Sequence, residues 1–321
     1  MLGPQHVGQR VVVRRIVGMR DARPVFSDIL GQLLEATETH ITVRARTGAV
    51  RVPLHEIVRA KPVPPRRRFT PTEALEAAAA QGWPAREQFR LGDWLLRATD
   101  GWTQRGNSVL AIGSPDLPTG EAIDFVRHWY LARSLTPAFS IPVPLFQRLD
   151  AELEHRGWTA MPVSQVMTIA LAKLTAAVPV RADEPTGRLE LATEPTAAWL
   201  ASVAGRKGEL PESALHVLTA VRHVRFAHWY DEAGALLGTA RGCVADDDSR
   251  WLGLSLIGVD ESMRRRGLAQ RMMAALAEWA LTVGARDVYL QVEQRNTAAV
   301  ALYERLGFTV DHAYSSRRLL T

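Results

Sequence analysis

Val259-Asp260-Glu261-Ser262-Met263-Arg264-Arg265-Arg266-Gly267-Leu268-Ala269 joins two segments of different pattern. Before it, the apolar run from Leu252 to Val259 reads as a buried strand. After it, aliphatic spacing predicts an amphipathic helix over about 268–282. A strand that passes through a glycine-bearing turn into a helix leaves backbone N–H groups free at the helix N-terminus, where the dipole favours negative charge. Arg264, Arg265 and Arg266 stand beside those groups, so the expected anion is a phosphate or pyrophosphate.

Downstream, Val288-Tyr289-Leu290-Gln291-Val292 predicts another strand. Asn296-Thr297-Ala298-Ala299-Val300-Ala301-Leu302-Tyr303 and then Gly307-Phe308 predict a helix closed by glycine. With these residues in view the chain resembles the GCN5-related N-acetyltransferase (GNAT) superfamily. Arg264-x-x-Gly267-x-Ala269 matches the family's acyl-CoA pyrophosphate turn, and Asn296 to Tyr303 followed by Leu306-Gly307-Phe308 matches its second signature. A lone Arg-x-x-Gly-x-Ala is weak. Two signatures in the right order, about thirty residues apart and in strand and helix contexts, are strong.

The backbone N–H groups of Arg265 to Ala269, Leu268 included, suit a pyrophosphate. Gly267 allows close approach, and the small Ala269 lets the helix pack on the sheet. The resemblance implies that acetyl-CoA is the acetyl donor. It implies that the main chain around Ile257, Gly258 and Val259 pairs with the pantetheine amides, and that Asn296 and Ala299 lie along the same arm. It also implies that Tyr303 protonates the departing thiolate. The expected reaction is direct attack of a neutral amine on the thioester, without a covalent enzyme intermediate. Strand 252–259 contains no glutamate, and Gln291 stands where some members place one. Glu293 is the candidate base, with His228 as a second.

Upstream, Ala151-Glu152-Leu153-Glu154-His155-Arg156-Gly157-Trp158-Thr159 echoes Ala301-Leu302-Tyr303-Glu304-Arg305-Leu306-Gly307-Phe308-Thr309. The first copy has Leu153 where the second has Tyr303, and it lacks the basic glycine turn. It reads as a degenerate duplicate that keeps the scaffold without the site. The expected fold is α+β: GNAT-like halves in tandem, each a mixed, mostly antiparallel sheet flanked by helices, preceded by a small all-β SH3-like barrel. The expected divisions are a barrel over 1–62, a Pro/Arg linker over 63–71, a degenerate half over 72–175, a linker over 176–188 and a catalytic domain over 189–321. Tandem halves resemble mycothiol synthase. A basic barrel ahead of such a region resembles actinobacterial proteins labelled N-acetylglutamate synthase-like or histone acetyltransferase-like.

The 321 residues carry a net charge of +5. Residues 1–70 hold 13 basic against 5 acidic residues, so the positive charge is concentrated at the N-terminus. Arginines alternating on the barrel's outer face read first as a solvated or domain-docking surface; that they could touch phosphates keeps a nucleic-acid- or protein-binding module with a CoA-sensing domain as an alternative. A lysine or N-terminal protein acetyltransferase is another. The favoured acceptor is a small-molecule amine, with L-glutamate in view, and Arg222, Arg225, His228 and Arg241 are the candidate substrate-binding residues. No metal is expected: consecutive Asp246, Asp247 and Asp248 cannot all face one ion, and they read as a solvated turn. The single cysteine, Cys243, reads as a buried strand residue and excludes an internal disulfide framework. No apolar run is long enough to span a bilayer and no secretory block opens the chain, so the expected location is cytoplasmic.

Overall fold

Period-two alternation organises the N-terminal strands β1 (Arg10–Arg20), β2 (Arg23–Ala36), β3 (His40–Ala45), β4 (Gly48–Pro53) and β5 (Ile57–Pro62). In a computed structural model that describes residues 2–20, 23–45, 48–62, 69–177, 186–245 and 250–320, they form an antiparallel sheet in the order β4-β3-β2-β1-β5. Val11, Val13, Ile29, Leu33, Ile41, Val43 and Val52 supply its core. No ladder joins β4 to β5 among the described residues, so this is an open five-stranded sheet and not the closed barrel expected from the strand spacing. Of the arginines in these strands, Arg14 is held by both carboxylate oxygens of Asp28 at 2.8 Å, and Arg15 reaches Glu56 at 3.5 Å. Residues 63–68 and 178–185, which hold most of the two expected linkers, and Asp246 to Asp248 lie outside the described residues.

Contacts divide the chain into units 1–68 and 69–321. The second opens with α1 (Pro71–Gln81), started by a reciprocal cap. Glu73 N–H donates to Thr70 Oγ1 at 3.3 Å, Thr70 N–H donates to Glu73 Oε2 at 2.9 Å, and Pro71 occupies the first helical position. There follow β6 (Glu87–Leu91), β7 (Trp94–Ala98), β8 (Val109–Leu110), α2 (Thr119–Leu131), β9 (Ala138–Val143), α3 (Gln147–His155), β10 (Thr159–Ala170) and α4 (Leu171–Ala177). The second run is β11 (Arg188–Ala192), α5 (Ala197–Lys207), α6 (Glu212–Thr219), β12 (His223–Tyr230), β13 (Leu236–Val244) and β14 (Trp251–Val259). It ends with α7 (Leu268–Thr282), β15 (Asp287–Glu293), α8 (Thr297–Arg305) and β16 (Thr309–Arg318).

All eleven strands of this unit share one sheet, in the order β11-β12-β13-β14-β15-β10-β16-β9-β8-β7-β6. Apart from β11, which has no counterpart in the first half, the order is a palindrome of the two halves. In each half a strand, a helix and a parallel neighbour lead to a second helix and a final strand: β8-α2-β9-α3-β10 and β14-α7-β15-α8-β16. The final strands are exchanged. β10 pairs with β15 of the other half, β16 pairs with β9, and β10 and β16 pair with each other at the centre. Successive halves in sequence are therefore interlaced in space.

The echo between residues 151–159 and 301–309 is a structural equivalence. Trp158 N–H donates to Leu153 O at 3.0 Å, Phe308 N–H donates to Tyr303 O at 3.0 Å, and Gly157 and Gly307 both take the left-handed backbone (φ 80° and 91°). Both helices close with the same glycine motif. Helix α7 packs on one face of the second half, where Met272, Met273, Leu276 and Ala277 meet Ala240, Leu254 and Leu290. On the opposite face α5 and α6 bury Trp199, Val203 and Val217 against Phe226 and Cys243, joined by Trp83 and Trp102 of the first half.

Candidate active site

Strands β14 and β15 run parallel only from Trp251↔Asp287 to Leu254↔Leu290. Beyond that point β15 continues against β10, from Gln291↔Val166 to Glu293↔Ser164, while β14 continues against β13 to Val259↔Gly238. A bulge drives the separation: Leu256 takes φ +54°, and the β13–β14 register shifts between Arg241↔Ser255 and Thr239↔Gly258. Among the described residues, one edge of 255–259 is thus left without a strand neighbour. Its carbonyl and N–H groups are available to an extended ligand carrying amides.

The chain leaves this edge through a built turn. Asp260 N–H donates to Leu237 O at 2.8 Å, and Asp260 Oδ1 accepts from Ser262 N–H at 3.0 Å and from Ser262 Oγ at 2.6 Å. Those bonds from Ser262 hold the Asp260 carboxyl below its ordinary range. Arg265 and Gly267 both adopt positive φ, 64° and 85°. Gly267 is the N-cap of α7 and offers no capping side chain. The first N–H groups of a fifteen-residue helix are therefore open at the end of the unpaired edge. Arg264 is exposed and paired with Glu261 at 2.8 Å, and Arg266 Nη1 lies 3.2 Å from Met263 Sδ. Leu268 is buried and Ala269 half-buried against the sheet.

The second signature is placed on α8. Asn296 is its N-cap, with Oδ1 accepting from Ala299 N–H at 3.3 Å. Ala299 packs at the margin of the core and Tyr303 inside it, 5.9 Å from the Phe308 ring. Burial pushes the Tyr303 phenol up to about 12. Glu293 ends β15 with its exposed carboxylate held by Arg295 Nε at 2.5 Å.

The expected substrate arginines do not converge. Arg241 is fully buried, donating from Nε to Leu218 O at 2.9 Å, from Nη1 to Gly82 O at 3.1 Å and from Nη2 to Val217 O at 3.4 Å. It closes the C-terminal ends of α1 and α6, where a cation satisfies orphan carbonyls, and has no access to an acceptor. Arg225 lies over Trp279 of α7 at 5.2 Å, and Arg222 is exposed in the turn before β12. His228 is buried with Nδ1 3.0 Å from Phe226 O, and desolvation lowers its pKa. Cys243 is the interior strand residue expected.

Sequence reasoning missed Arg206, at the end of α5. It donates from Nη2 to Thr239 Oγ1 at 2.5 Å, and a Cβ on Gly258 would fall 0.9 Å from its Nη1. Gly258, an isolated glycine inside an apolar strand, was the signal: such a residue marks a close approach.

The first half has no matching cradle. Its turn reads Gly113-Ser114-Pro115-Asp116-Leu117-Pro118, acidic and without arginine. α2 starts after Pro118, and Arg156 Nη2 occupies the space 2.6 Å from where a Cβ on Gly120 would stand. Among the described residues no group of histidine, cysteine or acidic side chains could hold a metal.

The fold that carries this parting strand pair and uncapped, glycine-led helix is that of the GCN5-related N-acetyltransferases, and the chain is an N-acetyltransferase of that class. The family model described as "Probable histone acetyltransferase Rv0428c C-terminal" matches residues 72–317, and the chain belongs to this family. It is 31% identical over 320 residues to the "Probable histone acetyltransferase Rv0428c" of Mycobacterium tuberculosis, covering 95% of this chain and 93% of that one. It is 30% identical over 250 residues to the "Uncharacterized N-acetyltransferase YobR" of Bacillus subtilis, covering 76% and 98%. Among solved structures, a GCN5-related N-acetyltransferase from Kribbella flavida shares the fold with a TM-score of 0.58 at 17% identity, over 78% of this chain and 96% of that one.

Proposed function

We propose that the enzyme acetylates the primary amine of a small molecule, with amino acids such as L-glutamate the leading acceptor class. The reading rests on the unpaired edge of 255–259 ending at the open N-terminus of α7. In this reading the pantetheine amides pair with the main chain at Ile257 and Val259, and the pyrophosphate meets the N–H groups of Arg265 to Ala269, with Arg264 and Arg266 beside it.

The amine attacks the thioester carbonyl once it has lost a proton, to Glu293 directly or through water. The C–N bond forms as the C–S bond breaks, the Tyr303 phenol donates its proton to the leaving thiolate, and the proton shed by the acylated nitrogen passes through water to restore the phenol. Asn296 and Ala299 flank the arm at the start of α8. No helix among the described residues is long and apolar enough to cross a membrane.

The test is CoA release from acetyl-CoA against a panel of amino acids, polyamines, aminoglycosides and lysine peptides. Turnover with an amino acid or another small amine is expected. Turnover with peptides alone would instead establish a protein acetyltransferase. CoA binding without turnover on any amine would establish a sensing domain.

A further inference from the structure

Gly258 carries no side chain at the point where Arg206 sets its guanidinium on β14. A Cβ there would stand 0.9 Å from Nη1 and 2.0 Å from Cζ of Arg206, so the guanidinium occupies the space the glycine leaves. The neighbours of Gly258, Ile257 and Val259, pack with the α7 side of the sheet. Gly258 and its register partner Thr239 face the α5 side, where Arg206 lies. The guanidinium therefore sits above the middle of the strand segment whose edge is open, on the face away from α7.

Arg206 is an exposed residue, yet its head is held by two bonds, Nε to Ser202 O at 3.1 Å and Nη2 to Thr239 Oγ1 at 2.5 Å. Two N–H groups on Nη1 and one on Nη2 remain, a fork suited to a carboxylate. No carboxylate lies within ion-pair distance of it among the described residues. Contact with the strand desolvates the head and lowers its pKa, with no counter-charge to offset the cost. A fixed, desolvated, uncompensated cation beside a reaction site is an anion receptor.

We propose that Arg206 is the specificity-determining residue for the acceptor, binding a carboxylate of the amine substrate over Gly258 and so fixing its amino group beside the open edge of β14. The inference rests on the reading of residues 255–269 as the acyl-donor site and adds to it the chemical class of the acceptor. Thr239 orients the fork, and Gly258 gives it room.

The experiment measures equilibrium binding by calorimetry to the full chain saturated with CoA. L-glutamate and L-alanine are each compared with their carboxamide analogues, for the wild type, Arg206→Met and Arg206→Lys. The wild type is expected to bind the carboxylates at least tenfold more tightly than the amides. Arg206→Met should lose that preference, and Arg206→Lys should keep part of it, because a lysine retains the charge without the fork. CoA affinity should stay within twofold in all three proteins. Equal preference in wild type and Arg206→Met, or no carboxylate binding by the wild type, overturns the proposal. So does a fall in CoA affinity that matches the loss of carboxylate binding, since Arg206 would then hold the donor. If CoA itself fails to bind the wild type, the donor-site reading fails, and the same titrations on the free protein still decide the role of Arg206.

Discussion

His312 Nε2 lies 2.9 Å from Glu76 Oε1 in the interior of the second unit, joining its final strand to its first helix. The pair is part of a chain. His312 Nδ1 is 2.8 Å from Asp311 Oδ1, Tyr314 donates its hydroxyl to Glu76 Oε2, and Gln291 Nε2 donates to Tyr314 Oη at 2.9 Å. Glu76, on the Ala-rich helix α1, is a buried carboxylate. Two residues of β16, His312 and Tyr314, supply its partners.

Stability should follow the protonation of His312. Burial opposes its charge, but hydrogen bonding to and the charge of Glu76, then those of Asp311, outweigh it and raise the pKa above 6.5. A raised folded pKa gives stability that is fully present below the unfolded value and is lost as pH rises through the folded value. In urea unfolding, the margin of the wild type over His312→Gln should therefore be larger at pH 5.5 than at pH 8.5. Glu76→Ala should cost about 3–5 kcal/mol at the lower pH, because it leaves a buried imidazolium without its main partner. A margin independent of pH would remove the charged pair from the account.

The exchanged strands make a second prediction. A protease site introduced within 178–185 cuts the chain between halves that share the β15-β10-β16-β9 ladders. The nicked protein should elute as one species on gel filtration and separate only in denaturant. Separation under native conditions would contradict the interlaced sheet.

Legibility in the sequence was uneven, for physical reasons. The stretch 252–269 and its partner 296–308 are local: strand, turn and helix follow from apolar period, glycine and the helix terminus, all within a few residues. The duplicate at 151–159 was legible for the same reason, since its glycine closure is a local motif. Strand exchange was not, because β10 carries no local mark of which β15 or β16 residue it will meet. Arg241 shows the same limit in a side chain. Its charge suggested an anion, and only the fold brings Leu218, Val217 and Gly82 carbonyls around it. Closure of the N-terminal sheet depends on its edges, which strand spacing does not specify.

Gly267 separates backbone from charge effects at the anion site. Its φ of 85° is left-handed, and no atom lies closer than 3.7 Å to a Cβ built there. Gly267→Ala should then cost only about 1 kcal/mol of stability, from backbone strain alone. Gly267→Asp adds a carboxylate where a pyrophosphate is expected, and should weaken CoA binding by about tenfold or more in calorimetry. Equal CoA affinity in Gly267→Asp and wild type would remove the pyrophosphate from this turn.

Tyr303 can be tested by removing one oxygen. Its phenol lies in the core beside Phe308, and burial raises its pKa to about 12. It therefore stays protonated across the working range, but a thiolate with an ordinary pKa near 8.5 is a weaker base than its phenolate, so the acid role requires bound donor to bring the phenol's pKa down. Tyr303→Phe preserves the ring and its packing, so CoA affinity should stay within twofold while kcat falls by about a hundredfold. The pH profile of kcat/KM adds a second reading. A falling limb assigned to Tyr303 of the free enzyme would lie above pH 11, so any limb near neutrality belongs to the amine or its base and should persist in the variant. Undiminished kcat in Tyr303→Phe would leave Tyr303 as a core aromatic and move the proton donor elsewhere.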